Sequence, residues 1–260
     1  MFVNIYGIRS ILLVCLGLQN HVAAQSTFAV SFQTDIEGPF LANSSTWIEF
    51  SNKMPSAKEF TVCHWLRIKY FNLNIAACLW TYCTIEYSTE DNMNCLELCL
   101  MANKSTANRN LAMDATVYLH NYGRKFIITP LNSYHHRTWV HLCWSFSAKT
   151  GKSKFYHNGE LLSVNLLNVT DNDWGIKGSD MMYDTALIFG QEPDTMRGGF
   201  DKSQAYLGEL SEFNIWNYTL NKDDIMKMAS CKSWPDGNLI AWNLTSVSYT
   251  HLTLPTNREV

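Results

Sequence analysis

The sequence predicts an all-β protein, built as an antiparallel sandwich or barrel in one domain. Three observations carry this prediction: many short strand-like runs separated by turn residues, one strong hairpin signal, and a single helix-like run. Many short strands with regular turns are typical of sandwiches and barrels. Neither an internal repeat nor a linker divides the chain, so one domain is the simplest organisation.

Strand-like runs, rich in β-branched and aromatic residues, follow one another along most of the chain. They are FAVSF (28–32), TWIEF (46–50), FTVCHWLRIKY (60–70), CLWTYCTIEY (78–87), NCLELCLM (94–101), TVYLH (116–120), KFIIT (125–129), TWVHLCWSF (138–146), KFYHNGELLSV (154–164) and ALIFG (186–190). Asn158-Gly159 predicts a tight hairpin inside 154–164, because both central turn residues need positive φ. Residues 221–229 (NKDDIMKMA) predict the helix, with acids in the first turn and apolar residues for packing.

The two ends of the chain are expected to lie outside the domain. Residues 10–18 (SILLVCLGL) are apolar and Val22-Ala23-Ala24 offers small residues, which predicts a secretory signal peptide over 1–24, cleaved after Ala24. The apolar run is too short to span a bilayer, and the alternative is an ordinary N-terminal strand. Residues 247–260 (VSYTHLTLPTNREV) resemble translated sequencing-adapter read-through, the alternative being a natural tail. We therefore expect a domain over 25–246 that is truncated at its C-terminus.

Sequons and cysteines favour a secreted, extracellular protein, and the charge argues against a nucleic-acid partner. A net charge of −3 gives no basic stripe for nucleic acid. Asn-x-Ser/Thr sequons, which are expected glycosylation sites, occur at Asn43, Asn103, Asn168, Asn217 and Asn243. Without Cys15, seven cysteines remain and are expected to form disulfides in an oxidising compartment. Because seven is odd, either one partner is missing or one thiol is free, and the partner of Cys231 is left open.

Two segments of the chain resemble motifs of one known protein family. Residues 137–160 (RTWVHLCWSFSAKTGKSKFYHNGE) contain His141-x-Cys143-x-Ser145-Phe146-x, which resembles the pentraxin signature His-x-Cys-x-Ser/Thr-Trp-x-Ser/Thr with Phe in place of Trp. Residues 187–217 (LIFGQEPDTMRGGFDKSQAYLGELSEFNIWN) are similar to the pentraxin segment GQE-x-D…GG-x-F…SQ…GE…N-x-W. The resemblance covers residues 28–243. It implies a two-sheet antiparallel jelly-roll sandwich of the concanavalin and laminin-G type with one short helix. It also implies a Cys63–Cys143 disulfide, since FTVCHW (60–65) looks like the strand with the other family cysteine.

The resemblance further implies a paired calcium site. In that family, the residues matching Glu192 and Asp194 bridge two calcium ions, and the carbonyl at the position of Pro193 binds the first ion. Asp201 and Gln204 match ligands of the second ion, although Asp201 stands where the family has Glu and is one methylene shorter. Asp91 and Asn92 match the family's Asp-Asn pair. These groups supply the hard oxygen ligands that calcium takes, and four crowded carboxylates would repel one another without a cation.

A paired calcium site implies a lectin-type or pattern-recognition protein that performs no chemistry on its ligand. Phosphorylated or anionic glycan and lipid head groups, or sugar diols, would complete the coordination of the ions. The strand CLELC (95–99) places Glu97 where a choline pocket is expected, so phosphocholine is disfavoured. Family resemblance also implies a homo-oligomer, usually a ring of five, and a role in innate immunity.

Four extra cysteines flank the segment that carries Asp91 and Asn92. Nested disulfides Cys83–Cys95 and Cys78–Cys99 fit a hairpin of 78–87 with 94–101. The two cysteine spacings differ by one residue, so a bulge is needed. Other connectivities stay open at this point. The expected role of the bonds is to hold the calcium-binding tip of the hairpin.

Two other functions compete with the calcium lectin. A jelly-roll glycosidase would need a second carboxylate at position 196, where the chain has Met196. An adhesive laminin-G-like module would share the sandwich and lack the paired calcium site. His135-His136 has no ligand partner at a recognisable spacing and is expected in an exposed loop. Cys143 beside His141 could suggest a nucleophile, but the disulfide is the expected state in a secreted protein.

Overall fold

The computed structural model of the chain describes residues 9–10, 28–33, 46–50, 54–70, 77–86, 93–102, 112–121, 124–135, 137–167, 175–178, 183–233, 235–242 and 247–248. Within these ranges the chain forms strands and one α-helix, α1 (Lys222–Ala229). The strands are, in chain order, β1 (Arg9–Ser10), β2 (Phe28–Phe32), β3 (Ile48–Phe50), β4 (Glu59–Tyr70), β5 (Ala77–Glu86), β6 (Met93–Ala102), β7 (Ala112–Asn121), β8 (Arg124–His135), β9 (Val140–Ser147), β10 (Lys152–His157), β11 (Glu160–Leu166), β12 (Tyr183–Phe189), β13 (Leu207–Trp216) and β14 (Val247–Ser248).

The strands form two antiparallel sheets that pack face to face. The first sheet has the order β1-β2-β13-β4-β9-β10-β11, and the second has the order β14-β3-β12-β5-β6-β7-β8. Buried aromatic rings from the two sheets meet between them: Trp144 stacks on Trp80 at 6.3 Å, and Phe213 meets Phe189 edge-on at 4.8 Å between ring centroids. The predicted all-β sandwich with one short helix is therefore confirmed.

Strand β9 shows how both faces of the first sheet become buried. Leu142 and Trp144 point into the core between the sheets, while Cys143 points to the opposite face. There it joins a second apolar cluster with Ile225 and Met228 of α1. All eight residues of β9 are buried, because the core covers one face of the strand and α1 covers the other near Cys143.

The predicted hairpin and helix support each other. Asn158 and Gly159 both have positive φ, 49° and 85°, and connect β10 to β11 as expected. A Cβ at Gly159 would lie 3.1 Å from Ala229 Cβ, so the turn packs closely under α1. Asn221 caps the helix, since its side-chain oxygen accepts a hydrogen bond from the amide of Asp224.

The disulfides join the cysteine pairs named from the sequence. Cys63 and Cys143 are opposite each other on β4 and β9 and are bonded. The other two bonds are Cys78–Cys99 and Cys83–Cys95. Cys231 is also disulfide-bonded, so it is not the free thiol that an odd cysteine count allowed; its partner lies outside the described residues.

The terminal segments each contribute a two-residue strand. β1 pairs with β2 through Arg9 and Ala29, and β14 pairs with β3 through Val247 and Phe50. The signal peptide over 1–24 and the non-native origin of 247–260 stay predictions. Within the described ranges, no helix combines the length and the apolar character needed to cross a membrane.

Candidate metal-binding site

The expected calcium ligands after β12 lie on one closed loop, residues 191–205. Its two ends meet where the amide of Tyr206 donates to Gly190 O, and the amide of Gly190 itself donates to Leu79 O on β5. Gly190 has a φ of 88°, and a Cβ there would come within 2.4 Å of the Phe32 ring. Only glycine therefore fits at the point where this loop begins.

The loop folds back over the outer face of the second sheet. Alternation along β12 points Leu187 and Phe189 into the core and leaves Ala186 and Ile188 on the outer face. Met196 and Phe200 of the loop pack on this outer patch together with Trp47, and the Trp47 and Phe200 rings lie 5.0 Å apart. Helix α1 covers the other sheet, so the loop and the helix lie on opposite faces of the molecule.

A tight turn forms the tip of the loop. The amide of Thr195 donates to Gly198 O at 3.1 Å, and the amide of Gly198 donates back to Thr195 O at 2.9 Å. Gly199 follows with a φ of 72°, and a Cβ there would lie 2.8 Å from Asp194 Cβ. Because Gly199 has no side chain, its backbone can lie directly against Asp194, one of the expected ligands.

Arg197, at the tip of the turn, is bound to two strands of the second sheet. Its Nη1 and Nη2 donate to both carboxylate oxygens of Asp184 on β12, at 2.6 and 3.0 Å. Its Nε donates to Glu49 on β3 at 2.7 Å, and Nη2 also donates to Thr185 O at 3.0 Å. The Asp184 and Glu49 carboxylates raise the pKa of Arg197. Sequence reasoning missed this residue, because its partner Glu49 is 148 positions away.

The loop holds five of the seven expected ligands. Glu192 is half-buried, Pro193 is buried and Asp194 is exposed. Asp201 is the N-cap of a short 3-10 turn at Lys202–Gln204, and its carboxylate accepts from the amide of Ser203 at 2.8 Å. These hydrogen bonds from Ser203 lower the pKa of Asp201. The remaining two expected ligands, Asp91 and Asn92, lie outside the described residues.

The hairpin of β5 and β6 brackets the segment that contains Asp91 and Asn92. Ile85 pairs with Met93 at the turn end of this hairpin, where residues 87–92 connect the two strands. Cys83–Cys95 and Cys78–Cys99 cross-link the same strands, and the register shifts between Cys78 and Trp80. This irregularity is the bulge that the cysteine spacing requires.

Glu97 lies on β6 between these two disulfides. It is buried, with 5% of its surface exposed, and it is registered opposite Thr81. The hydroxyl of Thr81 donates to Gln191 O at the start of the loop. Glu97 therefore shares the sheet face over which the candidate metal-binding loop lies.

Oxygen donors, and not the sulfur-rich clusters, fit calcium in this chain. Two groups of potential ligands lie close together, Cys63-His141-Cys143 and Cys78-Glu97-Cys99. Their sulfur atoms are in disulfides, and calcium prefers oxygen. The expected loop ligands would supply oxygens from carboxylates, an amide and a carbonyl. Among the residues described, the carboxylates of Glu192, Asp194 and Asp201 do not gather as a group within 4.8 Å.

The other candidate residues are placed as follows. Asn217 is exposed together with Tyr218 and Thr219 of its sequon, and its side-chain oxygen accepts from Asn238 Nδ2 at 2.7 Å. Glycosylation at Asn217 stays a prediction. The remaining sequon asparagines, Asn43, Asn103, Asn168 and Asn243, lie outside the described residues, as do the side chain of His135 and all of His136. Cys143 is in a disulfide and has no thiol to act as a nucleophile.

Comparisons with known proteins agree with the fold. The family model described as "Pentaxin family" matches residues 42–252. Neuronal pentraxin-2 of Mus musculus is 37% identical over 107 residues, which are 40% of this chain and 23% of that protein. C-reactive protein 1.4 of Limulus polyphemus is 26% identical over 201 residues, 74% of this chain and 72% of that protein. The solved structure of a native heptameric SAP-like pentraxin from Limulus polyphemus has a TM-score of 0.62 at 19% identity, covers 86% of this chain and 91% of its own, and shares the fold.

Proposed function

The chain belongs to the pentraxin family, and we propose that it is a secreted, calcium-dependent lectin-type binding protein of the pattern-recognition class. The calcium ligands are the loop residues Glu192, Pro193, Asp194, Asp201 and Gln204, together with Asp91 and Asn92. The observation that supports the proposal is the closed loop 191–205, which contains five residues with oxygen donors and packs on the outer face of one sheet through Met196 and Phe200.

The proposed ligand is held by coordination and undergoes no reaction. Two bound calcium ions with open positions would accept oxygens from a phosphate, a carboxylate or a sugar diol. Asp201 already uses one carboxylate oxygen to accept from Ser203, and its side chain is one methylene shorter than Glu. The first ion, held by Glu192, Asp194 and the Pro193 carbonyl, is therefore the tighter of the two.

The neighbourhood of Glu97 argues against choline as the preferred group. A choline pocket needs apolar or aromatic surface beside the phosphate site. The buried residue on β6 under the loop is instead a carboxylate flanked by two cystines. Because this position does not offer a clear apolar lining for choline, phosphocholine is disfavoured as the specific ligand.

Column binding tests the proposed function. In calcium, the protein is expected to be retained on phosphoethanolamine agarose or acidic agarose, and a chelator is expected to release it. Retention that persists in chelator would instead support the adhesive laminin-G-like alternative. The glycosidase alternative lacks its second acid, since Met196 occupies that position and packs in the apolar patch beside Trp47.

Asp194→Ala is expected to remove both calcium ions, because this carboxylate is proposed to bridge them. The metal content of the dialysed protein, measured by atomic emission, checks this. Asp223→Ala is the matched control, since it removes an exposed acid from α1 on the opposite face. A variant that loses one ion and keeps the other would show that Asp194 binds a single calcium.

The proposal extends to the assembly of several copies of the chain. A homo-oligomer would present several copies of a weak site and bind a ligand array by avidity. The related Limulus structure is heptameric, whereas the resemblance noted from the sequence implies a ring of five. Sedimentation of the calcium-loaded protein distinguishes a monomer from either ring.

A further inference from the structure

We propose that Arg197 is a positioning residue that pins the metal-binding loop beside the β5–β6 hairpin and thereby sets the affinity for calcium; this rests on the function proposed above. The ligands come from two segments that leave the second sheet at opposite ends. Loop 191–205 leaves β12 after Phe189, which is paired with Trp80. Residues 87–92 leave β5 after Glu86, which is paired with Tyr183 at the far end of β12.

The loop must therefore return along the sheet to bring its ligands to the hairpin. From Phe189 back to Asp184 is a strand distance of about 17 Å, at roughly 3.4 Å per residue. Asp184 is registered opposite Ile85, which in turn pairs with Met93 directly after the 87–92 segment. A contact at Asp184 thus lies beside the ends of β5 and β6 that flank Asp91 and Asn92 in the sequence.

Arg197 makes that contact. Its guanidinium forms two parallel hydrogen bonds to Asp184 and a third to Thr185 O, all at the β5-paired start of β12. Glu49 holds the Nε from the other side. A planar guanidinium held at three nitrogens fixes both the position and the orientation of the turn.

The turn transmits this fixed position to Asp194. Paired hydrogen bonds join Thr195 to Gly198 across Arg197, and the Gly199 backbone lies against Asp194. Asp194 therefore moves with the tip that Arg197 anchors. The apolar contacts of Met196 and Phe200 keep the loop on the sheet without Arg197, so its loss should loosen the loop without releasing it.

Electrostatics and positioning predict opposite outcomes. Arg197 is a cation close to a proposed cation site, so removing its charge alone would tighten calcium binding. Removing an anchor of the ligand-bearing loop would instead weaken calcium binding. Residues that orient metal ligands typically contribute about 10- to 100-fold in metal affinity. Because apolar contacts remain, we expect Arg197→Ala to weaken calcium binding by about tenfold.

The test compares calcium dissociation constants by calorimetry for the wild type, Arg197→Ala, Arg197→Lys and Lys202→Ala. Lys202→Ala removes the same charge from the same loop and is expected to bind calcium as well as or better than the wild type. Arg197→Lys keeps the charge, cannot form the paired bonds to Asp184, and is expected to restore only part of the affinity. Thermal unfolding in chelator verifies that each variant is folded.

Hydrogen exchange in chelator supplies a readout that needs no metal. The amides of Thr195 and Gly198 are expected to exchange faster in Arg197→Ala than in the wild type. If the wild type binds calcium and Arg197→Ala binds it equally or more tightly, the positioning role is overturned and the calcium proposal stands. If the wild type binds no calcium at all, both proposals fall.

Discussion

Replacing Cys63 and Cys143 together by alanine is expected to lower the free energy of unfolding by about 4–5 kcal/mol in the chain-entropy model. This disulfide closes a long loop, with a sequence separation of 80 residues, so it removes more conformational freedom from the unfolded chain than the other two described disulfides. Both cysteines are also buried under α1 with Tyr156 and Trp216. The loss of packing there adds to the entropic effect.

Denaturant unfolding of the double variant, followed by tryptophan fluorescence, measures this loss. The matched control is Cys83→Ala with Cys95→Ala, whose loop spans 12 residues and whose removal is expected to cost about 3 kcal/mol in the same model. Should the short loop prove the more stabilising of the two, the loop-entropy argument for this fold would be wrong. Differential scanning calorimetry of a Cys63→Ser, Cys143→Ser pair provides a second measurement.

The second large effect is a loss of stability in acid, caused by two buried histidines. Burial lowers the pKa of His64 to about 3, with His141 adding to the effect, and burial also lowers the pKa of His141 to about 3, with His157 adding to it. His64 accepts a hydrogen bond at Nε2 from the indole of Trp80 at 3.3 Å. If that nitrogen were protonated, two N–H donors, one on His64 and one on Trp80, would face each other in the core.

The sign follows from proton uptake. Between an unfolded pKa of about 6.5 and the folded pKa of about 3, the unfolded chain binds one more proton at each histidine. Their contribution is complete above pH 6.5 and is lost as the pH falls, at about 1.4 kcal/mol per pH unit for each histidine. Glu212 acts in the opposite sense, because burial and then Asp236 raise its pKa to about 7.

Together, these three groups make the stability fall with pH in two stages, each with its own slope. From pH 6.5 to 4.5, Glu212 cancels one histidine, and stability falls by about 1.4 kcal/mol per pH unit. Below pH 4.5 both histidines act without that offset, and the slope doubles to about 2.8 kcal/mol per pH unit. Urea unfolding at a series of pH values, with a chelator present throughout, measures both slopes.

Two variants separate the contributions to this acid sensitivity. Glu212→Gln removes the offset and should make the upper stage as steep as the lower one. His64→Gln keeps an acceptor near Trp80 without a titrating group. It should reduce the slope of stability against pH in both stages. A wild-type stability that does not change from pH 7 to pH 4 would mean that the buried histidines keep ordinary pKa values.

Sequence reasoning was most successful where the signal is local. The turn at Asn158-Gly159, the helix predicted over 221–229 and the nested cysteine pairs each depend on residues that are close together in the sequence. The proposed loop ligands from Glu192 to Gln204 are likewise close together in the sequence, but their binding of calcium stays a prediction. Whether Asp91 and Asn92 join them stays a prediction, since those residues lie outside the described part of the chain.

Non-local features could not be predicted in the same way. Nothing in the loop sequence indicates that Arg197 binds Glu49, or that Gly190 must leave room for Phe32. Strand β8 is longer than the predicted run 125–129 because its pairing with β7 continues past Pro130. Proline interrupts a strand in the middle of a sheet, but β8 is an edge strand of the second sheet, where a missing amide hydrogen is tolerated.

The two cross-links of the β5–β6 hairpin also constrain how this gene can change. A strand pair tied at Cys83–Cys95 and Cys78–Cys99 cannot slip by one residue, whereas a slip in an untied pair would turn every side chain to the other face. An inserted or deleted codon between the two cross-links must be absorbed within the tied segment as a bulge, as the extra residue of β5 already is between Cys78 and Trp80. Length variation among related genes should therefore concentrate in the codons for 87–92, outside the tied ladder, where a change in length leaves the pairing intact.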